Sequence, residues 1–253
     1  MEINNFKLFD AHFHIIDPRF PLIANNGYLP DAFTCETYLK RMKGYTLAGG
    51  AVVTGSFQEF DQSYLLNALE TLGPSFSGVT QIPADTPDAK IMRLNKAGVR
   101  AVRFNLKRGG SEVVQHLDRL ARRVHELAGW HTELHVDSSE LEGLYDTLVT
   151  LPAVCIDHLG LSGTGFKTLM RLVGRGVHVK ATGFGRVDFD VPRALKEIYA
   201  ANPKALMFGT DLPSTRAPRP FLDEDMAVVI ETLGETGAGR VLYENAVNFY
   251  AHR

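Results

Sequence analysis

The chain has 253 residues, of which 45% are hydrophobic and 22% are charged, and its formal net charge is -2. This composition is typical of a globular protein with one large domain or two small ones. A charge so close to zero gives no reason to expect nucleic acid or an anionic membrane as a partner. No apolar run approaches the roughly 18 residues of a membrane-spanning helix, and the start of the chain lacks the pattern of a secretory signal. We therefore expect a cytoplasmic protein, and the sequence leaves its oligomeric state open.

Strand-like apolar runs alternate with helical patterns along the whole chain. Strands are predicted within residues 8–15 and at 50–54, 76–81, 99–106, 130–136, 154–157, 177–182 and 206–209. Helices are predicted at 34–43, 61–72, 86–98, 111–127, 138–148, 166–173, 192–201, 223–233 and 246–250. Asp61 is expected to be an N-cap, and Pro87 is expected at the first helical position.

The number and order of these units predict the fold. Eight strand-plus-helix units with no linker between them indicate an α/β protein of one domain, residues 1–253, folded as a single (β/α)8 barrel. An open doubly wound sheet is the alternative, but no Gly-x-Gly-x-x-Gly turn follows the first strand. A Pro-, Asn- and Gly-rich loop at residues 17–31 carries aromatic residues, and loops of this length are usually functional or disordered.

Two histidines lie at the end of the first strand. His12 and His14 are separated by one residue, and side chains at i and i+2 of a strand project from the same face. Two imidazoles held side by side suit a metal ion, or a carbonyl oxygen that needs two hydrogen-bond donors.

Other polar residues fall at the ends of the later strands, where a barrel enzyme carries its chemistry. They are Arg103 and Asn105 on the fourth strand, Glu133 and His135 on the fifth, His158 after the sixth, Lys180 and Thr182 on the seventh, and Asp211 after the eighth. Each has an ordinary structural explanation when it is taken alone. Four histidines and an aspartate at the ends of four strands together favour a catalytic or metal site.

Several motifs along the chain, in this order, resemble those of the amidohydrolase superfamily. More narrowly they are similar to its branch of lactone hydrolases that includes 2-pyrone-4,6-dicarboxylate lactonase. The matching pieces are Asp10-Ala11-His12-Phe13-His14, Tyr28-Leu29-Pro30, Val102-Arg103-Phe104-Asn105, Asp157-His158-Leu159-Gly160, Lys180-Ala181-Thr182-Gly183, Gly209-Thr210-Asp211-Leu212-Pro213 and Asn245-Ala246-Val247-Asn248-Phe249-Tyr250. The chain has Gly-Thr-Asp-Leu-Pro-Ser where that branch usually has Gly-Thr-Asp-Trp-Pro-His.

The resemblance implies a role for each of these positions. Asp211 would be the general base that takes a proton from the attacking water, and His158, His12 and His14 would polarise the carbonyl or hold a metal ion that does so. The substrate contacts implied by the resemblance are Arg103, Arg186, Tyr28, Asn105 and Lys180, with Arg108 and Arg216 as weaker candidates. A planar guanidinium suits a substrate carboxylate.

The metal content is left open by the sequence. Strand four has no lysine where binuclear members of the superfamily carry a carboxylated bridge, which argues against two metal ions. His12, His14, His135 and Asp211 would suit one zinc or manganese ion. The alternative is a metal-free site, because some lactonases of this branch use their histidines as hydrogen-bond donors.

Three functions are compatible with these residues. We expect a hydrolase that opens a carboxylate-bearing lactone, either similar to 2-pyrone-4,6-dicarboxylate or a sugar-acid lactone. A metal-dependent decarboxylase of an aromatic acid has a similar ligand set and is the first alternative. The second is a non-catalytic carboxylate-binding protein on the same scaffold. In all three, the partner is a small carboxylated molecule.

Overall fold

The computed structural model describes residues 3–251, which form one (β/α)8 barrel, so the ends of the expected domain, residues 1–2 and 252–253, lie outside the described residues. Its strands are β1 (Lys7–Phe13), β2 (Thr46–Val53), β3 (Phe76–Thr80), β4 (Val99–Asn105), β5 (His131–His135), β6 (Val154–Ile156), β7 (His178–Ala181) and β8 (Leu206–Phe208). They pair in parallel in chain order, from β1 to β8. The predicted fold is confirmed.

The helices surround the sheet and cover its apolar outer face. They are α1 (Cys35–Arg41), α2 (Ser63–Leu72), α3 (Asp88–Lys96), α4 (Leu117–Ala128), α5 (Leu141–Leu148), α6 (Phe166–Gly174), α7 (Val191–Ala201), α8 (Asp223–Gly239) and α9 (Asn245–Tyr250). The core between helices and sheet contains buried residues such as Leu65, Val124, Leu172 and Ile198. No helix among residues 3–251 is both long enough and apolar enough to cross a membrane.

Several predicted helix starts were wrong by a few residues, because local capping differs from the expected pattern. Helix α2 begins at Ser63, two residues after the predicted start, but the Asp61 carboxylate does cap its first turn, because it accepts hydrogen bonds from the Ser63 hydroxyl (2.8 Å) and the Tyr64 amide (3.4 Å). Pro87 is itself the N-cap residue of α3 rather than its first helical residue. A 3-10 turn, Val114–His116, precedes α4 and takes up part of the helix predicted from residue 111. Such shifts of boundaries are common where a first turn is not α-helical.

A buried carboxylate joins the last strand to the first. The Asp10 side chain accepts hydrogen bonds from the Thr210 amide (2.8 Å) and the Thr210 hydroxyl (2.7 Å), and it also accepts one from the Tyr38 hydroxyl (3.1 Å). The Asp211 amide donates to the His12 carbonyl (2.7 Å), and the His14 amide donates to the Leu212 carbonyl (2.8 Å). These bonds close the barrel at its carboxyl end and bring His12, His14 and Asp211 together.

Candidate active site

The carboxyl ends of the strands surround a small polar cavity. Among the residues that line it are His14, Arg103, Asn105, Arg108, His135, His158, Arg186 and Arg216. The sequence had placed most of these side chains at strand ends, and the structure places them around one opening. Active sites of barrels of this type lie at this face.

The orientation of His14 is set by a backbone carbonyl. Its Nδ1 lies 2.7 Å from the Val53 carbonyl oxygen, which can only accept, so Nδ1 carries the proton of the neutral ring. Burial, together with the nearby charges of His12 and Arg103, holds the pKa of His14 well below its usual value. The unprotonated Nε2 therefore faces into the site, 3.9 Å from Oδ1 of Asp211.

His12 lies between two carboxylates. Its Nδ1 is 3.4 Å from Oδ1 of Asp157, and its Nε2 is 4.0 Å from Oδ1 of Asp211. Asp157 was not among the predicted site residues, although the sequence places it directly before His158. A carboxylate behind a histidine fixes the tautomer of the ring, and such partners are common behind metal-ligating histidines.

Asp211 lies at the centre of this arrangement in a backbone conformation that is uncommon for residues other than glycine, with φ of 61°. One carboxylate oxygen accepts a hydrogen bond from Nε of Arg186 at 2.7 Å. The other, Oδ1, is buried and has no hydrogen-bond partner among the described residues. Strained residues of this kind cluster at functional sites.

His158 and His135 complete the histidine group. The ring of His158 lies 4.8 Å from that of His12 and 5.0 Å from that of His135, measured between centroids. The Asn105 side-chain oxygen accepts from the Arg108 amide, which fixes its orientation, so Nδ1 of His135 donates to the same oxygen at 3.0 Å. Burial first, and nearby positive charges second, hold the pKa values of His158 and His135 well below the usual value.

Three buried atoms of this group could bind a cation but cannot hydrogen-bond to one another while all of them are acceptors. Nε2 of His12, Nδ1 of His158 and Oδ1 of Asp211 are buried and have no hydrogen-bond partner among the described residues. These three residues can each bring a ligand atom to within 4.8 Å of the other two. Acceptor atoms gathered in a buried space require a shared cation or donor. The group has His12 and Asp211 in common with the metal set predicted from sequence, whereas His158 takes the place of His14 and His135.

Two of the arginines implied as substrate contacts already have protein partners. Arg103 donates from Nε and Nη2 to one oxygen of Asp157, at 3.0 and 2.8 Å, and from Nη1 to the Thr54 carbonyl. Burial opposes ionisation of Asp157, but the charges of Arg103, His12 and Lys180 overcome it and hold its pKa well below the usual value. Arg186 is bound to Asp211 and also donates to the Thr215 carbonyl. Both arginines still line the cavity.

Arg108 and Arg216 lie at the outer part of the cavity. Arg216 donates to Asn25 and Ser56, and its guanidinium lies 4.7 Å from the centre of the Tyr28 ring. Tyr28 thus contacts the site through Arg216 and does not line the cavity itself. Arg108 forms no ion pair within the described part of the chain, so its charge is available to an anion.

Lys180 lies below the cavity rather than in its wall. Its side chain is fully buried, and its ammonium is 2.5 Å from Oε2 of Glu133. It also lies 3.5 Å from Nδ1 of His12 and 3.8 Å from Oδ1 of Asp157. Lys180 therefore contacts the residues that support the site.

Comparison with known proteins identifies the family. The family model described as Amidohydrolase matches residues 9–251 of this chain. The chain belongs to the amidohydrolase family. Among related proteins, it is 29% identical over 226 residues to 4-sulfomuconolactone hydrolase of Hydrogenophaga intermedia, a match that covers 81% of this chain and 74% of that protein.

A second relative of this chain is 2-pyrone-4,6-dicarboxylate hydrolase of Comamonas testosteroni, which is 31% identical over 158 residues. That match covers 60% of this chain and 51% of the relative, so it spans about half of the relative's length.

Solved structures share the fold. A probable 2-pyrone-4,6-dicarboxylic acid hydrolase from Acinetobacter baumannii, crystallised with citric acid, superposes with a TM-score of 0.83 at 21% identity, over 96% of this chain and 98% of that one. A putative hydrolase of the same description from Pseudomonas putida gives a TM-score of 0.80 at 24% identity, over 99% of this chain and 98% of that one.

Proposed function

We propose that this amidohydrolase is a lactonase that opens a lactone bearing at least one carboxylate. The observation that carries the proposal is the position of Asp211, whose free oxygen faces the nitrogens of His12 and His14 at 4.0 and 3.9 Å beside a cavity lined by arginines. The related hydrolases support it, because their names describe a pyrone dicarboxylate and a sulfonated lactone, both of them anionic.

In this proposal Asp211 is the general base. Water is a weak nucleophile at neutral pH, and a carboxylate within hydrogen-bonding reach accepts its proton as the new bond to the carbonyl carbon forms. Oδ1 of Asp211 has no hydrogen-bond partner among the described residues and has two lone pairs, so it can accept that proton with or without a bound cation, while Arg186 holds Oδ2 and so fixes the orientation of the carboxylate. The same carboxyl then supplies the proton to the alkoxide that leaves when the ring opens.

One divalent ion, zinc or manganese, is part of the proposal. His12, His158 and Asp211 would hold it, and the unprotonated Nε2 of His14 lies close enough to Asp211 to be a further ligand. When bound, such an ion polarises the substrate carbonyl and lowers the pKa of a bound water.

The substrate carboxylate is assigned to the basic outer part of the cavity. Arg108 has no ion-pair partner in the described part of the chain, and Arg216 and Arg186 add positive charge on the same side. Burial, together with the charges of Arg108 and Arg186, lowers the pKa of Arg216, as expected where several guanidinium groups lie close together. An anionic group on the substrate would relieve that repulsion.

A substrate screen tests the function. Purified protein is incubated with neutral, mono- and dicarboxylated lactones, with and without a chelator, and ring opening is followed by absorbance. We expect turnover of a carboxylated lactone, far slower turnover of its neutral analogue, and loss of activity with chelator. Release of carbon dioxide from aromatic acids would instead identify a decarboxylase. Tight binding of carboxylates without turnover would identify a non-catalytic binding protein.

A further inference from the structure

A pair of opposite charges lies inside the barrel, below the candidate catalytic groups. Glu133 of β5 and Lys180 of β7 are both fully buried, and they are 2.5 Å apart. Barrel interiors are normally filled with branched apolar side chains. Replacement of a buried ion pair by apolar residues is often neutral or stabilising, so this pair is not explained by stability alone.

Glu133 is held in place by three groups. One of its oxygens, Oε1, accepts a hydrogen bond from the Tyr250 hydroxyl of α9 and lies 3.0 Å from Nε2 of His131. The other, Oε2, binds the ammonium of Lys180. Burial opposes the charge on Glu133, but Lys180 and His131 lower its pKa to about 2. The carboxylate is therefore a fixed anchor for Lys180.

The Lys180 ammonium competes with Asp157 for the same nitrogen of His12. Nδ1 of His12 is 3.5 Å from Nζ of Lys180 and 3.4 Å from Oδ1 of Asp157. A neutral ring nitrogen either donates or accepts. If Nδ1 donates to Asp157, Nε2 is unprotonated and can bind a cation; if Nδ1 accepts from Lys180, Nε2 carries the proton and cannot.

Glu133 holds the Lys180 ammonium closer to itself than to Asp157, although the ammonium stays within hydrogen-bonding distance of Nδ1 of His12. Nζ of Lys180 is 2.5 Å from Glu133 but 3.8 Å from Oδ1 of Asp157. That Asp157 oxygen is buried and has no hydrogen-bond partner among residues 3–251, and Nδ1 of His12, at 3.4 Å, lies nearer to it than the Lys180 ammonium does. We propose that Glu133 is a positioning residue, which holds the Lys180 ammonium so that Nδ1 of His12 donates to Asp157 and Nε2 faces Asp211.

Replacement of Glu133 by glutamine removes the anchor charge and keeps the shape of the side chain. In Glu133→Gln the ammonium of Lys180 would move to Oδ1 of Asp157 and donate to Nδ1 of His12, which would transfer the ring proton to Nε2. Loss of a group that orients a ligating histidine typically costs about 10–100-fold in activity or metal affinity. We expect that fall in kcat, with KM changed less than about twofold.

The double variant Glu133→Gln/Lys180→Met separates positioning from folding. It removes both buried charges, so Nδ1 of His12 again has Asp157 as its partner. We expect at least about tenfold recovery of kcat relative to Glu133→Gln, because the competing donor has gone. The matched control is Glu142→Gln, since Glu142 pairs with Arg171 at the surface and should leave all readouts at the wild-type level.

The deciding readout is the tautomer of His12. Ring-nitrogen NMR spectra of the protein as purified are recorded for wild type and the variants, and the His12 signals are assigned by their loss in His12→Gln. We expect an unprotonated Nε2 in wild type and in the double variant, and a protonated Nε2 in Glu133→Gln. An unchanged tautomer in Glu133→Gln, or a double variant with a protonated Nε2, would overturn the proposal.

The inference rests on the proposed function only for the expected changes in kcat and KM. If wild type opened no lactone in the screen, the proposed function would fail, and the His12 tautomer would still decide the role of Glu133. If Glu133→Gln does not fold, the double variant alone decides: wild-type kcat and tautomer support the proposal, and loss of either contradicts it.

Discussion

Asp211 combines an uncommon backbone conformation with a central chemical position, and one substitution separates the two. Asparagine tolerates positive φ about as well as aspartate does, so Asp211→Asn should keep the turn at φ of 61° while removing the proton acceptor. We expect kcat for a carboxylated lactone to fall about 100-fold or more. Circular dichroism should show an unchanged fold. Turnover close to wild type in the folded variant would remove Asp211 from the role of base.

Arg108 offers the most direct test of substrate charge recognition. Its side chain lines the cavity without an ion-pair partner among the described residues, so Arg108→Met should leave folding unaffected. KM should rise about tenfold or more for a carboxylated lactone, because a charge-assisted pair is lost, and should change little for a neutral analogue. Equal changes for both substrates would show that Arg108 does not contact the carboxylate.

Arg103 is a poor choice for the same experiment. Its guanidinium is buried and holds Asp157 through two hydrogen bonds. Arg103→Met would leave the Asp157 carboxylate without its main counter-charge, and breaking one half of a buried ion pair commonly costs about 3–5 kcal/mol. A loss of activity in that variant would report stability as well as substrate binding.

Metal content can be measured without any substrate. Nε2 of His12 and Oδ1 of Asp211 are buried acceptors 4.0 Å apart, and a cation between them would satisfy both. We expect elemental analysis to find about one zinc or manganese ion per chain. His12→Gln should lower the occupancy, while His116→Gln, at a partly exposed histidine that does not line the cavity, should not.

A protein purified without metal would support the metal-free alternative. Negligible metal in wild type, together with activity that a chelator does not affect, would leave the histidines as stabilisers of charge on the substrate carbonyl. Asp211 would remain the proposed base in that case.

At the scale of elements, the approach of β8 to β1 depends on one glycine. A Cβ atom at Gly209 would lie 2.6 Å from the His12 backbone nitrogen and 2.8 Å from the His12 Cβ, so any side chain there would push the strands apart. We expect Gly209→Ala to lower the free energy of unfolding by about 1–3 kcal/mol. It should also reduce kcat, since His12 would be displaced. Urea unfolding measures the first effect.

Gly143→Ala is the matched control. Gly143 lies on the exposed face of α5, and a Cβ there meets nothing within 4 Å. Alanine in a helix is more favourable than glycine by about 0.5–1 kcal/mol, so this variant should be slightly more stable than wild type. A Gly209→Ala protein as stable as Gly143→Ala would mean that the two strands can separate at no cost.

The sequence predicted the strands and the polar residues at their ends because both depend on short-range alternation. It did not predict how deep each inward-facing residue lies in the barrel. Lys180 and His135 both face inward, yet His135 reaches the cavity and Lys180 pairs with Glu133 beneath it. The period-two alternation of side chains is the same along the whole strand, so it does not show how deep in the barrel a residue lies. That depth depends on the register between strands that are far apart in the chain. For the same reason, Asp157 was not among the predicted site residues.

At the scale of the whole molecule, the barrel interior contains buried ion pairs beside an apolar cluster of strand residues that includes Val53, Val79 and Met207. Glu133 binds Lys180, and Asp157 binds Arg103, so each of these two buried carboxylates has a cationic partner. Around these pairs lie histidines kept neutral by burial. Such an interior is stable only while the proton distribution stays unchanged, because an added charge would be buried without a partner.

This arrangement predicts that acid destabilises the fold. Burial lowers the pKa values of His12, His14, His131, His135 and His158 below 6.5 in the folded protein. Since the unfolded chain binds these protons more readily, stability is fully present above about pH 6.5 and is lost as the pH falls below it. Asp10 acts in the opposite direction, because burial raises its pKa to about 6, but it is one group against five. The three histidines whose pKa values lie well below 6.5, His14, His135 and His158, contribute up to about 1 kcal/mol each at pH 5.5, and His12 and His131 act in the same direction.

Urea unfolding at pH 7.5 and pH 5.5, with chelator present throughout, measures this loss. His14→Asn gives a matched comparison, since the asparagine amide can still donate to the Val53 carbonyl but binds no proton. Its unfolding free energy should fall by about 1 kcal/mol less than that of wild type between the two pH values. An unfolding free energy that stays constant from pH 7.5 to 5.5 in wild type would mean that the buried histidines take up protons in the folded barrel as easily as in the unfolded chain.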